Sequence, residues 1–169
     1  MHTKIIEADF TTDSYDTYHA IEKELFGMEI GVLINNVGMS YPHPAYFLEL
    51  PNRDKMYSDI IKCNVNSVTN MALMILPQMV ERKKGVVVNV SSTAAIIPSP
   101  LLTVYASSKV SLCVGNVEQV SENRGGEDFV ILCEYIYPNK LRLLLSNQFK
   151  YFIYAISFLY TVNNTHINA

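Results

Sequence analysis

The chain has 169 residues, of which 49% are hydrophobic and 17% charged, and it carries a formal net charge of -3. That length suits one domain, and so much apolar material excludes an intrinsically disordered chain. No basic stripe recommends nucleic acid as a partner, and the four scattered histidines and three widely spaced cysteines (Cys63, Cys113 and Cys133) make neither a metal-ligand pattern nor a disulfide framework.

The first nine residues lack the apolar core of a signal peptide. Within them, residues 4–9 read as a short strand. Asp13 or Ser14 can cap a helix that runs to about Phe26, with Tyr18, Ile21 and Leu25 recurring on one face at helical spacing. Residues 30–34 form a short β-rich run, apolar on both faces, as in a parallel strand covered by helices. A turn-rich stretch with Pro42, Pro44 and Pro51 follows. A long helix is expected from near Arg53 to about Arg82. Residues 85–90 are the clearest strand, because a β-branched run is hard to read otherwise. A loop with Pro98 and Pro100 then leads into a helix starting near Thr103. This β-α-β-α-β order implies parallel strands joined by right-handed crossovers.

Beyond Leu112 the character changes. Residues 114–117 are poor helix material, residues 122–128 read as a polar loop, and residues 129–137 offer a further strand. Residues 149–162 are apolar and aromatic. Lys150 interrupts them, and they fall short of the about 20 residues that cross a bilayer. A buried helix or strand, or a segment lying on a membrane, fits them better than a span.

Four features fall in order on these elements: Asn35-Asn36-Val37-Gly38 after the strand at 30–34, Asn64 in the long helix, Ser91-Ser92 at the end of the strand at 85–90, and Tyr105-Ala106-Ser107-Ser108-Lys109 opening the next helix. In open α/β sheets, ligands bind beyond the carboxyl ends of the strands, where Asn35, Gly38 and Ser92 lie. Tyr105 and Lys109 are four residues apart and share a helix face. An ammonium beside a phenol favours the phenolate, which suits proton transfer, and a serine hydroxyl can donate a hydrogen bond to a carbonyl oxygen. Each feature alone has a duller reading: a turn for Asn-Asn-x-Gly, a cap for Ser-Ser, solvent-facing helix positions for Asn64 and for the Tyr–Lys pair. Their joint occurrence on the right elements is what points to chemistry.

This set resembles the tetrad and structural motif of the short-chain dehydrogenases/reductases. Residues 29–41, 76–82 and 98–105 are similar to the branch that holds the type 12 17β-hydroxysteroid dehydrogenases and the very-long-chain 3-oxoacyl-CoA reductases. The resemblance covers roughly residues 2–112. It implies that Tyr105 donates a proton to a substrate carbonyl, that Lys109 tunes Tyr105 and holds the nicotinamide ribose, that Ser92 polarises the carbonyl, and that Asn64 fixes a water relaying protons to Lys109. It further implies that Asp9 contacts adenine and that Asn35 and Gly38 line the cofactor cleft and brace the sheet. The reaction implied is hydride transfer from NADPH to a 3-oxoacyl-CoA or keto-steroid, at the endoplasmic reticulum with membrane association, or otherwise in the cytoplasm. The family's partner contacts imply a homodimer, or pairing with a full-length relative.

The chain also departs from that pattern. Only eight residues precede Asp9, and no G-x-x-x-G-x-G or G-x-G-x-x-G lies among them. The expectation is therefore a partial doubly wound, Rossmann-like α/β sheet lacking its first two strands, in residues 1–112, followed by a divergent segment in residues 113–169. On that reading the chain is a fragment that is inactive by itself, or a non-catalytic partner of a full-length reductase. In the family's strand order the missing strands lie between the first two strands of this chain. Residues 4–9 should then pair directly beside residues 30–34 or be poorly anchored.

Overall fold

A computed structural model of the chain describes residues 3–12, 14–114, 128–134 and 155–157, with only the backbone for 113–114 and the last two stretches. Helix α1 (Tyr15–Leu25) starts where Ser14 leaves extended geometry and its Oγ accepts from the Asp16 N–H at 3.2 Å. That satisfies one of the orphan donors of the first turn. Asp13, the other cap candidate, lies outside the described residues. Ile21 and Leu25 are buried, and the half-buried Tyr18 meets Phe10 with ring centroids 5.9 Å apart, so the apolar face is the expected one.

Strand β1 (Val32–Asn35) begins two residues later than the apolar run suggests. The Ile30 backbone is already engaged by side chains: its N–H donates to Gln78 Oε1 at 3.0 Å, and Arg82 Nη2 donates to its carbonyl at 2.6 Å. Both partners project from the helix that follows, so this side-chain clamp replaces a sheet ladder.

The long helix is present in two parts, α2 (Arg53–Ile61) and α3 (Ser67–Glu81), joined through a π-helical turn at Lys62–Asn66. Strand β2 (Lys84–Val90) is buried over most of its length, and helix α4 (Thr103–Val114) follows a short 3-10 turn at Thr93–Ala95. Gly85 is required by space. A Cβ there would stand 2.6 Å from Met79 Sδ, so α3 lies directly on the start of β2. Strand β3 (Asp128–Glu134) falls within the predicted 129–137 run, apart from its first residue. Strand β4 (Ala155–Ser157) falls within the apolar 149–162 stretch; the rest of that stretch, and the loop at 122–127, lie outside the described residues.

The sheet has the order β3-β2-β1-β4, and all its pairings are parallel. Val32 to Asn35 face Val86 to Asn89 in register. This is the α/β architecture expected, with one correction. Residues 4–9 form no strand. They run as irregular chain, with Ile5 90% exposed, while Ile6 and Ala8 pack on the core and Lys4 Nζ bridges Glu24 Oε2 at 2.8 Å. Ala155–Ser157 takes the edge of β1, so of the two expected outcomes it is the unpaired one that residues 4–9 adopt. The reason is the obligation of an edge: the outward N–H and C=O groups of β1 need a ladder partner. The irregular segment, packed through Ile6 and Ala8 and tied at Lys4, supplies none.

Two clusters of buried hydrophobic residues stand out among the described residues. One, between sheet and helices, includes Phe10, Ile21, Leu33, Ile75 and Met79. The other, Tyr41, Leu50 and Ile60, lies beside the start of α4, where Leu102, Val104 and Tyr105 pack against it.

Candidate active site

The loop that leaves β1 is held from several sides. Asn35 ends the strand, and its Nδ2 donates to Asn89 Oδ1 across the β1–β2 pair at 2.6 Å, with both residues buried. Asn35 therefore ties β1 to β2 through its side chain. Three residues on, Gly38 faces the helices. A Cβ on it would lie 2.9 Å from Lys109 Nζ and 3.5 Å from Asn64 Oδ1. Gly27 is the glycine with a left-handed φ among those described. The requirement at Gly38 is space rather than backbone freedom.

Asn64 explains the π turn. It is fully buried, and its Oδ1 accepts from the Met39 N–H at 2.7 Å while its Nδ2 donates to the Met39 carbonyl at 3.0 Å and to Ser108 Oγ at 2.9 Å. The widened turn re-aims Asn64 at Met39, a use of π insertions common at functional sites. Ser108 Oγ donates in turn to the Tyr105 carbonyl at 2.7 Å. A chain of hydrogen bonds thus runs from the loop after β1, through α2–α3, into the first turn of α4.

Lys109 is buried, only 5% exposed, and its ammonium donates to the Val90 carbonyl at 3.2 Å, at the end of β2. Ser91 Oγ donates to the Lys109 carbonyl at 2.8 Å, fastening α4 to the same strand end. Ser92 Oγ accepts from the Ala94 N–H at 3.2 Å and caps the 3-10 turn. An accepting hydroxyl still has its own proton to donate. Tyr105 lies one helical turn before Lys109, partly buried, against the Tyr41 cluster. Its N–H donates to the Tyr41 hydroxyl at 3.3 Å, and the Val104 N–H donates to the same oxygen at 2.7 Å. Cys63, beside Asn64, has its thiol pushed up to about 11 by burial, against the opposing pull of the Lys109 charge.

The structure therefore brings Asn64, Gly38 and Lys109 together and sets Tyr105 and Ser92 on the elements that flank them. Asp9 is exposed, and its Oδ1 accepts from the Thr11 N–H at 2.9 Å and Thr11 Oγ1 at 2.8 Å, a local turn beside Phe10, which lines a small cavity with Asn35 and Val37. Sequence reasoning assigned no role to Asn89, Ser91, Ser108 or Tyr41. Among the described residues no group of His, Cys, Asp and Glu could hold a metal ion, and no helix is long and apolar enough to cross a membrane.

Comparison with known proteins agrees with this arrangement. The profile of the short chain dehydrogenase family matches residues 2–116. Over 109 residues the chain is 49% identical to the very-long-chain 3-oxoacyl-CoA reductase of Mus musculus, an alignment that covers 64% of this chain and 34% of that protein. The chain thus spans about a third of the length of the curated relatives it matches. Among solved structures, a 3-oxoacyl-[acyl-carrier protein] reductase from Brucella melitensis with bound NAD superposes with a TM-score of 0.54 and 26% identity, covering 64% of this chain and 41% of that one. A short-chain dehydrogenase from Sphingobium yanoikuyae in complex with NADPH gives 0.56 and 25%, again over 64% and 41%.

Proposed function

We propose that this chain, which belongs to the short-chain dehydrogenase family, carries the catalytic half of an NAD(P)H-dependent carbonyl reductase. The observation that carries the reading is the convergence of a buried ammonium and a buried amide on one glycine: Lys109 Nζ and Asn64 Oδ1 stand 2.9 and 3.5 Å from where a Cβ on Gly38 would lie. Backbone approach of this kind suits a nicotinamide ribose lying along the carboxyl ends of β1 and β2. When bound, the nicotinamide supplies hydride. The chain's own residues do the rest. The Lys109 ammonium holds the ribose hydroxyls, the Tyr105 hydroxyl passes its proton to the substrate carbonyl oxygen, and the Ser92 hydroxyl donates a hydrogen bond to that oxygen. Asn64 holds the loop and helix around a water that returns protons towards Lys109.

A 3-oxoacyl-CoA is the favoured substrate because the curated relatives at 45 and 49% identity are very-long-chain 3-oxoacyl-CoA reductases. A keto-steroid is the second candidate, from the type 12 branch resemblance. The same resemblance favours NADPH over NAD and a place at the endoplasmic reticulum. Residues 1–112 carry the family resemblance and residues 113–169 diverge from it in sequence, although Asp128–Glu134 and Ala155–Ser157 complete the same sheet. No glycine-rich turn lies among the 169 residues to cradle a pyrophosphate. This chain alone therefore binds NADPH weakly and reduces substrate poorly. A fluorescence titration checks this directly, and micromolar affinity would overturn it.

One observation favours a second reading, that the chain also pairs with a full-length relative. Leu73 and Val80 on α3 are 70% and 53% exposed, an apolar face unusual for a helix turned to water. Co-purification with a full-length reductase supports pairing, and a strictly monomeric chain in its presence contradicts it.

A further inference from the structure

We propose that Tyr41 is a positioning residue for Tyr105: its hydroxyl caps helix α4 from a distance and fixes where Tyr105 stands relative to the loop after β1. The inference deepens the reductase reading and rests on it.

The argument begins at the helix end. Ala106 N–H donates to the Leu102 carbonyl at 2.8 Å, which makes Leu102 the residue that caps α4 and places Val104 and Tyr105 at its second and third positions. A cap normally accepts from those two N–H groups with its own side-chain oxygen, and leucine has none. The Tyr41 hydroxyl, 63 and 64 residues away in sequence, accepts from both, at 2.7 and 3.3 Å. Its ring is held for the purpose. Tyr41 is 8% exposed, it packs with Leu50 and Ile60, and its ring meets Tyr57 edge-on with centroids 5.7 Å apart.

The consequence lies in what Tyr41 is attached to. Two residues before it, Met39 is clamped through both backbone groups by Asn64. One residue before that, Gly38 faces Lys109. The Tyr105 carbonyl accepts from Ser108 Oγ, which itself accepts from Asn64. The Tyr105 backbone is therefore gripped at its N–H by Tyr41 and at its C=O by the Ser108–Asn64 pair, and both grips lead to the same short loop. A local cap would steady the helix equally well but would not tie it to that loop.

The test uses the 169-residue chain with reduced nicotinamide mononucleotide as the probe, and compares wild type, Tyr41→Phe, and Tyr41→Phe combined with Leu102→Asn. Phenylalanine keeps the ring packing and removes only the acceptor. Asparagine at 102 supplies the missing local cap. Amide exchange at Val104 and Tyr105 should speed up about fivefold or more in Tyr41→Phe, the loss of roughly one net hydrogen bond. The probe-induced shift of the Tyr105 ring signals should fall by at least half. In the double variant exchange should recover while the ring response does not, and recovery of neither also supports the proposal, because no local substitute then replaces Tyr41. Unchanged exchange and ring response in Tyr41→Phe overturns it, as does recovery of both in the double variant, which reduces Tyr41 to a cap. If the wild-type chain shows no probe response at Tyr105 or Lys109, it is the reductase reading that fails, and the exchange data still decide whether Tyr41 caps α4.

Discussion

The Lys109 ammonium nitrogen occupies the space that a Cβ on Gly38 would enter, at 2.9 Å. A loop from the end of one strand and a helix beginning beyond the end of the next thus meet with no side chain between them. The contact is closer than real Cβ atoms accept, so Gly38→Ala must push Lys109 aside inside a buried site. Overpacking costs about 1–3 kcal/mol where nothing can give, but Nζ is the far end of a flexible side chain, so urea unfolding should show a loss of only about 1 kcal/mol with an unchanged m-value. Wild-type stability in Gly38→Ala would mean that the lysine has room to retreat.

Asn64→Ala should cost more. The variant strips partners from the Met39 N–H and C=O and from Ser108, deep in a fully buried site. Each buried group left unpaired costs about 1–3 kcal/mol, and some relaxation is expected, so the total should be about 2–4 kcal/mol. Hydrogen exchange should show the Met39 amide among the first to lose protection.

Asn35 and Asn89 should be coupled. Their side chains pair at 2.6 Å between in-register positions of β1 and β2. A double-mutant cycle with alanine at each site should give an interaction energy of about 1 kcal/mol in urea unfolding. A value near zero would show that the pair contributes nothing beyond filling space.

Cys63 gives a pH dependence. Burial pushes its thiol up to about 11, above the ordinary value of 9.0. Between those values the unfolded chain has released the proton and the folded chain keeps it, so raising pH favours unfolding. The contribution is fully present below pH 9.0 and is lost as pH rises towards about 11. The difference in stability between wild type and Cys63→Ala should therefore shrink across that window. Alkylation of Cys63 at pH 8, followed by peptide mapping, should be slow until the chain is unfolded.

Strongly periodic elements were legible in the sequence. The helix faced by Ile21 and Leu25 and the β-branched strand Lys84–Val90 stand where their patterns put them, because burial against one sheet determines both. Residues 4–9 misled because a short apolar alternation carries no information about whether a neighbour exists to pair with. Their place beside β1 went to Ala155–Ser157, in a stretch whose periodicity was weak. At the site, Asn64, Gly38 and Lys109 converge. Asp9 holds a local turn through Thr11. The supporting residues were hidden for a physical reason. Tyr41, Ser108 and Asn89 act through contacts across 63, 44 and 54 residues of sequence, and no local pattern encodes a bond of that reach.

The most direct test of the central claim is to map where reduced nicotinamide mononucleotide meets the wild-type chain by amide and side-chain NMR shifts. This probe carries the nicotinamide ribose and does not need a pyrophosphate cradle. The account predicts millimolar binding, with shifts concentrated at Gly38, Asn64, Tyr105 and Lys109 and abolished in Lys109→Met. Shifts confined to α1 or the N-terminal stretch, or a response that survives loss of the ammonium, would contradict it.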